Sequence, residues 1–260
     1  VGSSLVACQS IFLMPVSRTR FAEDIVTEFI APKNVRSKKV LIFASGMPSV
    51  PKKNDLLKQY AELGYWVFFP RYRGTWESGG KFLAKSPHLD LLDVMNGISK
   101  GFKDFWTGET IKFKPSAFYL IGSSFGGSAV LLAAQDKRVT KVVALSPVCD
   151  WRVDSVVEPL DWLGNFIKDA FGEAFRFTQK DWKKLGTKTF FNPIDIASKV
   201  SGDKILLIHA KDDQLAAYEP TKLFAQLSGA KLMTLKSGGH LSGSRLLQAR
   251  FKKKVNEFFS

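Results

Sequence analysis

The chain holds 260 residues, 45% of them hydrophobic, which suffices for one large core, and chains of this length commonly form a single domain. Its 38 Lys and Arg against 24 Asp and Glu give a formal net charge of +14, but the basic residues lie in small scattered clusters with no helix-turn-helix, RRM or zinc-finger pattern, which argues against a nucleic-acid reader. Only Cys8 and Cys149 are present, without CxxC spacing, so neither a disulfide framework nor a metal site is indicated, and no apolar run reaches the roughly 18–20 residues that span a bilayer.

The chain opens on "VGSSLVACQSIFLMPV", a stretch with the look of a short signal core and, in "LVAC" (5–8), of a lipoprotein cleavage box. No positive segment precedes it and only seven residues lie before Cys8, so a first β-strand is the expectation, with a removed signal or lipoprotein processing left open; the scarcity of cysteines fits a cytoplasmic protein. "SIFLMPVS" and "DIVTEFIAP" are expected to pair as an antiparallel hairpin at a sheet edge. Five apolar runs then read as strands buried on both faces: 39–46, 65–74, 117–124, 141–148 and 204–213. Helical patterns at 52–63, 90–102 and 127–135 separate most of them, a last strand is expected at 230–240, and an amphipathic helix at 244–259 closes the chain. This alternation predicts an α/β fold, a mostly parallel sheet with helices on both faces. Residues 150–200 interrupt it, because some fifty residues stand where one crossover helix would suffice. They are expected to form a helical cap inserted into a core of 1–149 and 201–260. In "LDWLGNFIKDAF" (160–171), Leu160, Leu163, Phe166, Ile167 and Phe171 can share one face. Trp151, Trp162 and Phe166 of this insertion, with Trp76, are the candidate substrate-pocket residues.

Gly122-Ser123-Ser124-Phe125-Gly126 matches G-x-S-x-G between a predicted strand and a predicted helix, the setting of a nucleophile elbow. A strained serine at the tip requires small residues two before and two after it, so Ser124 is the candidate nucleophile and Ser123 a filler. A hydroxyl needs a base. Of three histidines, His88 lies upstream before a helix and His209 ends an apolar strand, whereas His240 sits in the glycine-flanked loop "SGGHLSG" after the last strand. His240 is therefore the candidate base. Asp212 and Asp213 follow a strand in the order that a triad acid requires, and Asp150 is a further candidate. Arg71 and Arg73 either bind an anionic substrate or pair with Glu77 or another carboxylate.

With these residues the chain resembles the α/β-hydrolase superfamily, and within it the catalytic domains of prolyl-oligopeptidase-like and acylaminoacyl-peptidase-like enzymes and their esterase relatives. "PRYRGTWESGGKF" (70–82) and "SPVCDW" (146–151) carry the likeness beyond the elbow. The resemblance implies a sheet of about eight strands, no cofactor and an acyl-enzyme mechanism. Its His-Gly-x-x-Asp pattern aligns with His209 and so selects Asp213 as the acid. It also implies an oxyanion hole made by the backbone N–H groups of Phe125 and Met47; the family's His-Gly pair is Ser45-Gly46 here, and its Val-Pro after the acid is Ala216-Ala217. The resulting expectation is a carboxylesterase acting on short- to medium-chain esters, with a small-molecule ester as its partner, no integral membrane association, and a homodimer left open. An acyl-CoA thioesterase or acyltransferase, a serine peptidase, and a non-catalytic binding protein of the same fold are the alternatives.

Overall fold

A computed structural model describes residues 15–187 and 190–260. Its elements, in chain order, are β1 (Ser17–Phe21), β2 (Ile25–Ile30), β3 (Lys39–Ala44), α1 (Asn54–Glu62), β4 (Trp66–Pro70), α2 (His88–Lys100), β5 (Phe102–Lys103), β6 (Thr110–Ile111), β7 (Ala117–Ser123), α3 (Phe125–Ala133), β8 (Val139–Leu145), α4 (Leu160–Phe171), α5 (Gln179–Trp182), β9 (Ile205–Ala210), α6 (Tyr218–Ser228), β10 (Lys231–Leu235) and α7 (Ala249–Phe259). Eight strands form one sheet in the order β1-β2-β4-β3-β7-β8-β9-β10, in which β2 alone runs against the rest. The mostly parallel α/β sheet expected from the alternation is the one observed.

The apolar runs are continuous because each strand feeds two cores. Successive side chains point to opposite faces, so Val40 and Ile42 of β3 join Phe68, Leu120 and Val142 on one side, while Leu41 and Phe43 join Ile121, Val143 and Ile208 on the other. α2 and α3 cover the first face, and α1 and α7 the second. Every residue of α3 is buried, and that explains its lack of a polar stripe: it lies between the sheet and α2 rather than on the surface. Burying a Leu or Phe completely contributes about 1.5–3 kcal/mol, so these two layers dominate stability.

The first strand differs from expectation. Most of "SIFLMPVS", like Cys8, lies outside the described residues, and the strand that pairs with β2 is "SRTRF". Ser17, Thr19 and Phe21 are buried while Arg20 is exposed, so a charged edge strand concealed its apolar face in the sequence. The small hairpin of β5 and β6 was likewise not foreseen.

Between β8 and β9 the chain makes α4, the short α5 and a 3-10 segment at Pro193–Lys199. α4 turns Leu163, Gly164 and Ile167 inward. Trp182 packs on Gly164, where a Cβ would stand 2.7 Å from its Nε1, and that nitrogen donates to the Leu160 carbonyl at 2.9 Å. Among the described residues no helix is long and apolar enough to cross a membrane.

Candidate active site

The carboxyl ends of the parallel strands bring the candidate residues to one edge of the sheet. β7 delivers Ser124, β9 delivers Asp213, the loop after β10 delivers His240, and the loop after β3 delivers Met47. Ser124, His240, Met47, Trp151, Leu160 and Leu163 all line one cavity of about 300 Å³.

The turn at Ser124 follows from its glycines. Ser124 has φ +54° and ψ −123°, a conformation that non-glycine residues rarely adopt. It is held by its own N–H, which donates to the Leu145 carbonyl at 2.9 Å. A Cβ on Gly122 would clash with the Gly126 carbonyl, and one on Gly126 with the Ala44 carbonyl. A Cβ on Gly127 would stand 2.7 Å from Pro147 Cβ. Strand, helix and neighbouring loops therefore pass at distances only glycine allows. Phe125 is the first residue of α3, so its N–H lies outside the intrahelical ladder and is available to a ligand. Ser123 is buried and lines the same cavity beside Ser124.

Asp213 is the hub of the site. Its carboxylate accepts from His240 Nδ1 at 2.9 and 3.1 Å, from His209 Nε2 at 3.1 Å, and from the amides of Leu215 and Ala216 at 3.0 Å each. Burial raises its pKa, but the hydrogen bonds from His209, His240 and Ala216, with the His240 charge, outweigh burial and hold the carboxyl well below the usual range. His240 is only partly buried, so the ring keeps one edge on Asp213 and reaches the cavity. His209 is completely buried, and its Nε2 faces both Asp213 and the Ala216 carbonyl at 3.0 Å. Two acceptors make Nε2 the donor, which leaves Nδ1 to accept from the Thr221 hydroxyl at 2.9 Å. Thr221 Oγ1 lies 3.4 Å from the Sγ of Cys149, whose thiol is pushed up to about 12 by burial.

The remaining acidic candidates have other work. Asp212 accepts from the N–H groups of Gly238 and Gly239 at 3.1 and 2.9 Å, tying down the turn that precedes His240. Just beyond, the Leu241 amide donates to Ser146 Oγ at 3.0 Å. Asp150 pairs with Arg152 at 2.7 Å and accepts from Asn192. Arg73 is bound by Asp24, Asp90 and Asp93, and Arg71 by Glu28 at 2.9 Å; neither lines the cavity.

Of the four pocket candidates only Trp151 lines this cavity, its Nε1 donating to Ser128 at 3.3 Å. Trp162 and Phe166 stack face to face, centroids 5.1 Å apart, on the outer side of α4, where they are 48% and 39% exposed. Trp76 donates to the Ser49 carbonyl, in the loop after β3, at 3.1 Å. That loop carries Ser45 in place of the expected histidine. It is anchored by the Tyr72 hydroxyl, which donates to the Ser45 carbonyl at 3.2 Å, by the contact of Ser45 with Ser49, and by Trp76. The cavity wall also includes three charged residues that the sequence did not single out, Lys53, Asp154 and Glu158. Burial lowers the pKa of the Lys53 amine. Among the described residues no cluster of His, Cys, Asp or Glu has the arrangement of a metal site.

Residues 54–260 match the model of the prolyl oligopeptidase family. No curated protein matches the sequence. Among solved structures, the Pyrococcus furiosus esterase Pf2001 superposes with a TM-score of 0.68 at 16% identity, over 94% of this chain and 90% of that one. The Pyrococcus horikoshii acylaminoacyl peptidase gives 0.63 at 16% identity, over 95% of this chain but 42% of its own. Est1E from Butyrivibrio proteoclasticus gives 0.62 at 15% identity, over 94% of this chain and 99% of that one.

Proposed function

The chain belongs to the prolyl oligopeptidase family and is a serine hydrolase of α/β-hydrolase fold, and from that premise we propose that it is a carboxylesterase for short- to medium-chain esters. Ser124 Oγ attacks the ester carbonyl while His240 Nε2 takes its proton. The N–H groups of Phe125 and Met47 hold the oxyanion; losing one such donor typically lowers the rate by about 10²–10³. Collapse of the tetrahedral intermediate breaks the ester C–O bond, and His240 returns the proton to the departing alkoxide. Water, deprotonated by the same imidazole, then attacks the acyl-enzyme and frees the acid and Ser124. Asp213 holds the His240 tautomer and stabilises its charged form.

The observation that carries this reading is the convergence of Ser124 and His240 on one cavity, with His240 Nδ1 fixed by a buried carboxylate. Cavity size and chemistry support the substrate class. About 300 Å³ is the low end of the range of ligand pockets, about 300–1,000 Å³. About half of its wall is apolar, with Pro48, Val148, Trp151, Leu160, Leu163 and Leu215, which suits a short acyl chain. The helical segment 150–200 serves as the cap that supplies Trp151, Leu160 and Leu163. Asp154 and Glu158, two carboxylates against the one amine of Lys53 on the same wall, disfavour the phosphates of an acyl-CoA.

Hydrolysis of p-nitrophenyl esters of increasing acyl length by the wild type and by Ser124→Ala tests the proposal, with circular dichroism to check the fold. The expected result is turnover that falls off for long chains and drops by at least about 10⁴-fold in the variant. A folded wild type inert toward every ester, or a Ser124→Ala enzyme that keeps its rate, would overturn it.

A further inference from the structure

The opposite edge of the sheet, about 20 Å away along the seven residues of β7, has a different character. β5 and β6 pair with Phe102 opposite Ile111 and Lys103 opposite Thr110. From there the chain alternates: Phe102, Ile111 and Phe113 turn inward, Phe102 and Phe113 packing on Trp66, while Lys103, Thr110, Lys112 and Lys114 are exposed. The core has thus taken the apolar residues of the hairpin that can reach it. Phe105 and Trp106 at its tip remain outside, 48% and 68% exposed.

Their exposure is built into the backbone. Asp104 N–H donates to the Glu109 carbonyl at 2.8 Å, Gly108 N–H to the Asp104 carbonyl at 2.8 Å, and Trp106 N–H to Asp104 Oδ1 at 2.9 Å. Phe105 N–H donates to the Arg18 carbonyl of β1 at 2.9 Å, which fixes the tip to the sheet. Two large aromatic side chains are therefore presented to solvent by a closed, anchored turn.

Basic charge lies along the same hairpin and the loop joined to it. Lys100, Lys112, Lys114 and Arg138 line one open groove, and Ser116 at its end donates to the Lys38 carbonyl at 2.9 Å, joining the 31–38 loop to it. Residues 33–39 and 100–116 together carry eight Lys or Arg against Asp104 and Glu109. Arg138 is answered by Asp136 at 2.7 Å, but none of these eight forms an ion pair among the described residues. Val35, in the same basic loop, is 60% exposed.

We propose that this edge is a docking surface for anionic phospholipid bilayers, Phe105 and Trp106 entering the headgroup layer while the lysines of the hairpin and of the 33–39 loop meet the lipid phosphates. Trp is favoured at the bilayer interface because its ring is apolar with a polar edge, and each basic residue near an anionic leaflet adds to binding. A second copy of the chain would bring like charges together at this edge. A single-stranded nucleic acid is tracked by aromatics spread along a groove, whereas here the two exposed aromatics are consecutive residues of one turn. The chain would lie with its cavity facing away from the bilayer, open to solutes.

Co-sedimentation of the full chain with vesicles of phosphatidylcholine, with and without phosphatidylglycerol, tests this. Binding is expected only to the anionic vesicles, weakening as salt rises. The double variant Lys112→Ala/Lys114→Ala is expected to lower the partition coefficient about tenfold or more, and Trp106→Ala to lower it several-fold, both keeping wild-type circular dichroism. Absence of binding to phosphatidylglycerol vesicles would overturn the proposal, as would binding unchanged in both variants. Equal Trp106-dependent capture on a single-stranded RNA homopolymer would also overturn it, in favour of a nucleic-acid surface.

Discussion

The two ends of the central sheet treat charge in opposite ways. At the carboxyl end Asp213 is buried and answered by two histidines and two amides, and Asp212 beside it by two more amides. At the amino end Lys112 and Lys114 stand exposed on the outer face of a hairpin extension, with no carboxylate within ion-pair distance among the described residues. A desolvated charge must be satisfied or it destabilises the fold, and the partners that satisfy Asp213 also orient it. A solvated charge has no such requirement and can act at a distance. The same chain thus uses one edge for local, geometric electrostatics and keeps the other for a field.

After the loss of Ser124 itself, the largest expected effect is that of Asp213→Asn, which leaves His240 in the wrong tautomer and lowers kcat by about 10²–10⁴-fold. If the two edges are independent, steady-state kinetics will register that loss while vesicle partitioning does not move, and Lys112→Ala/Lys114→Ala will show the reverse. His209→Leu removes one buried donor from Asp213, so urea denaturation should report a loss of about 1–3 kcal/mol, accompanied by a fall in kcat. Restoration of both by His209→Gln would separate the hydrogen bond from packing.

His88 gives the comparison a pH axis. Burial lowers its pKa from the ordinary 6.5 to about 4, so the unfolded chain takes up this proton first. Its contribution is fully present above pH ~6.5, declines as the pH falls toward 4 and is constant below that, a change of about 3 kcal/mol at most. His88→Gln should flatten that part of the stability profile measured by thermal or urea unfolding. Smaller effects belong to the aromatics. Trp76→Phe breaks the hydrogen bond to Ser49 and should lower kcat several-fold with little change in KM. Trp162→Ala and Phe166→Ala, on the outer face of α4, should leave both constants within about twofold.

Local geometry was legible in the sequence wherever neighbours in the chain set it. Gly122, Ser124 and Gly126 announce their turn because the clashes that select glycine involve the adjoining residues and one crossing strand. The buried strands were legible for a similar reason: two-sided burial leaves an uninterrupted apolar run. The Arg-bearing β1 was hidden because an edge strand needs only every second residue apolar. α4 exposes the limit of periodicity, which gives the existence of a face but not its neighbour. Gly164 replaced Phe166 on the inner side because Trp182, remote in sequence, occupies the space beside it. Lys53, just before α1, and Asp154 and Glu158, in the loop between β8 and α4, come to the cavity wall from two segments about a hundred residues apart, and no spacing rule connects them.

Cys149 is the free cysteine among the described residues, and it is buried beneath the acid loop in contact with Thr221. A thiol that neither ionises near neutral pH nor meets solvent reacts with an alkylating reagent only when the surrounding structure opens. Mass-mapped alkylation at this position is therefore a built-in clock for opening of the fold around His209 and Asp213. Run beside the activity assay, it separates a variant that has lost its chemistry from one that has lost its scaffold.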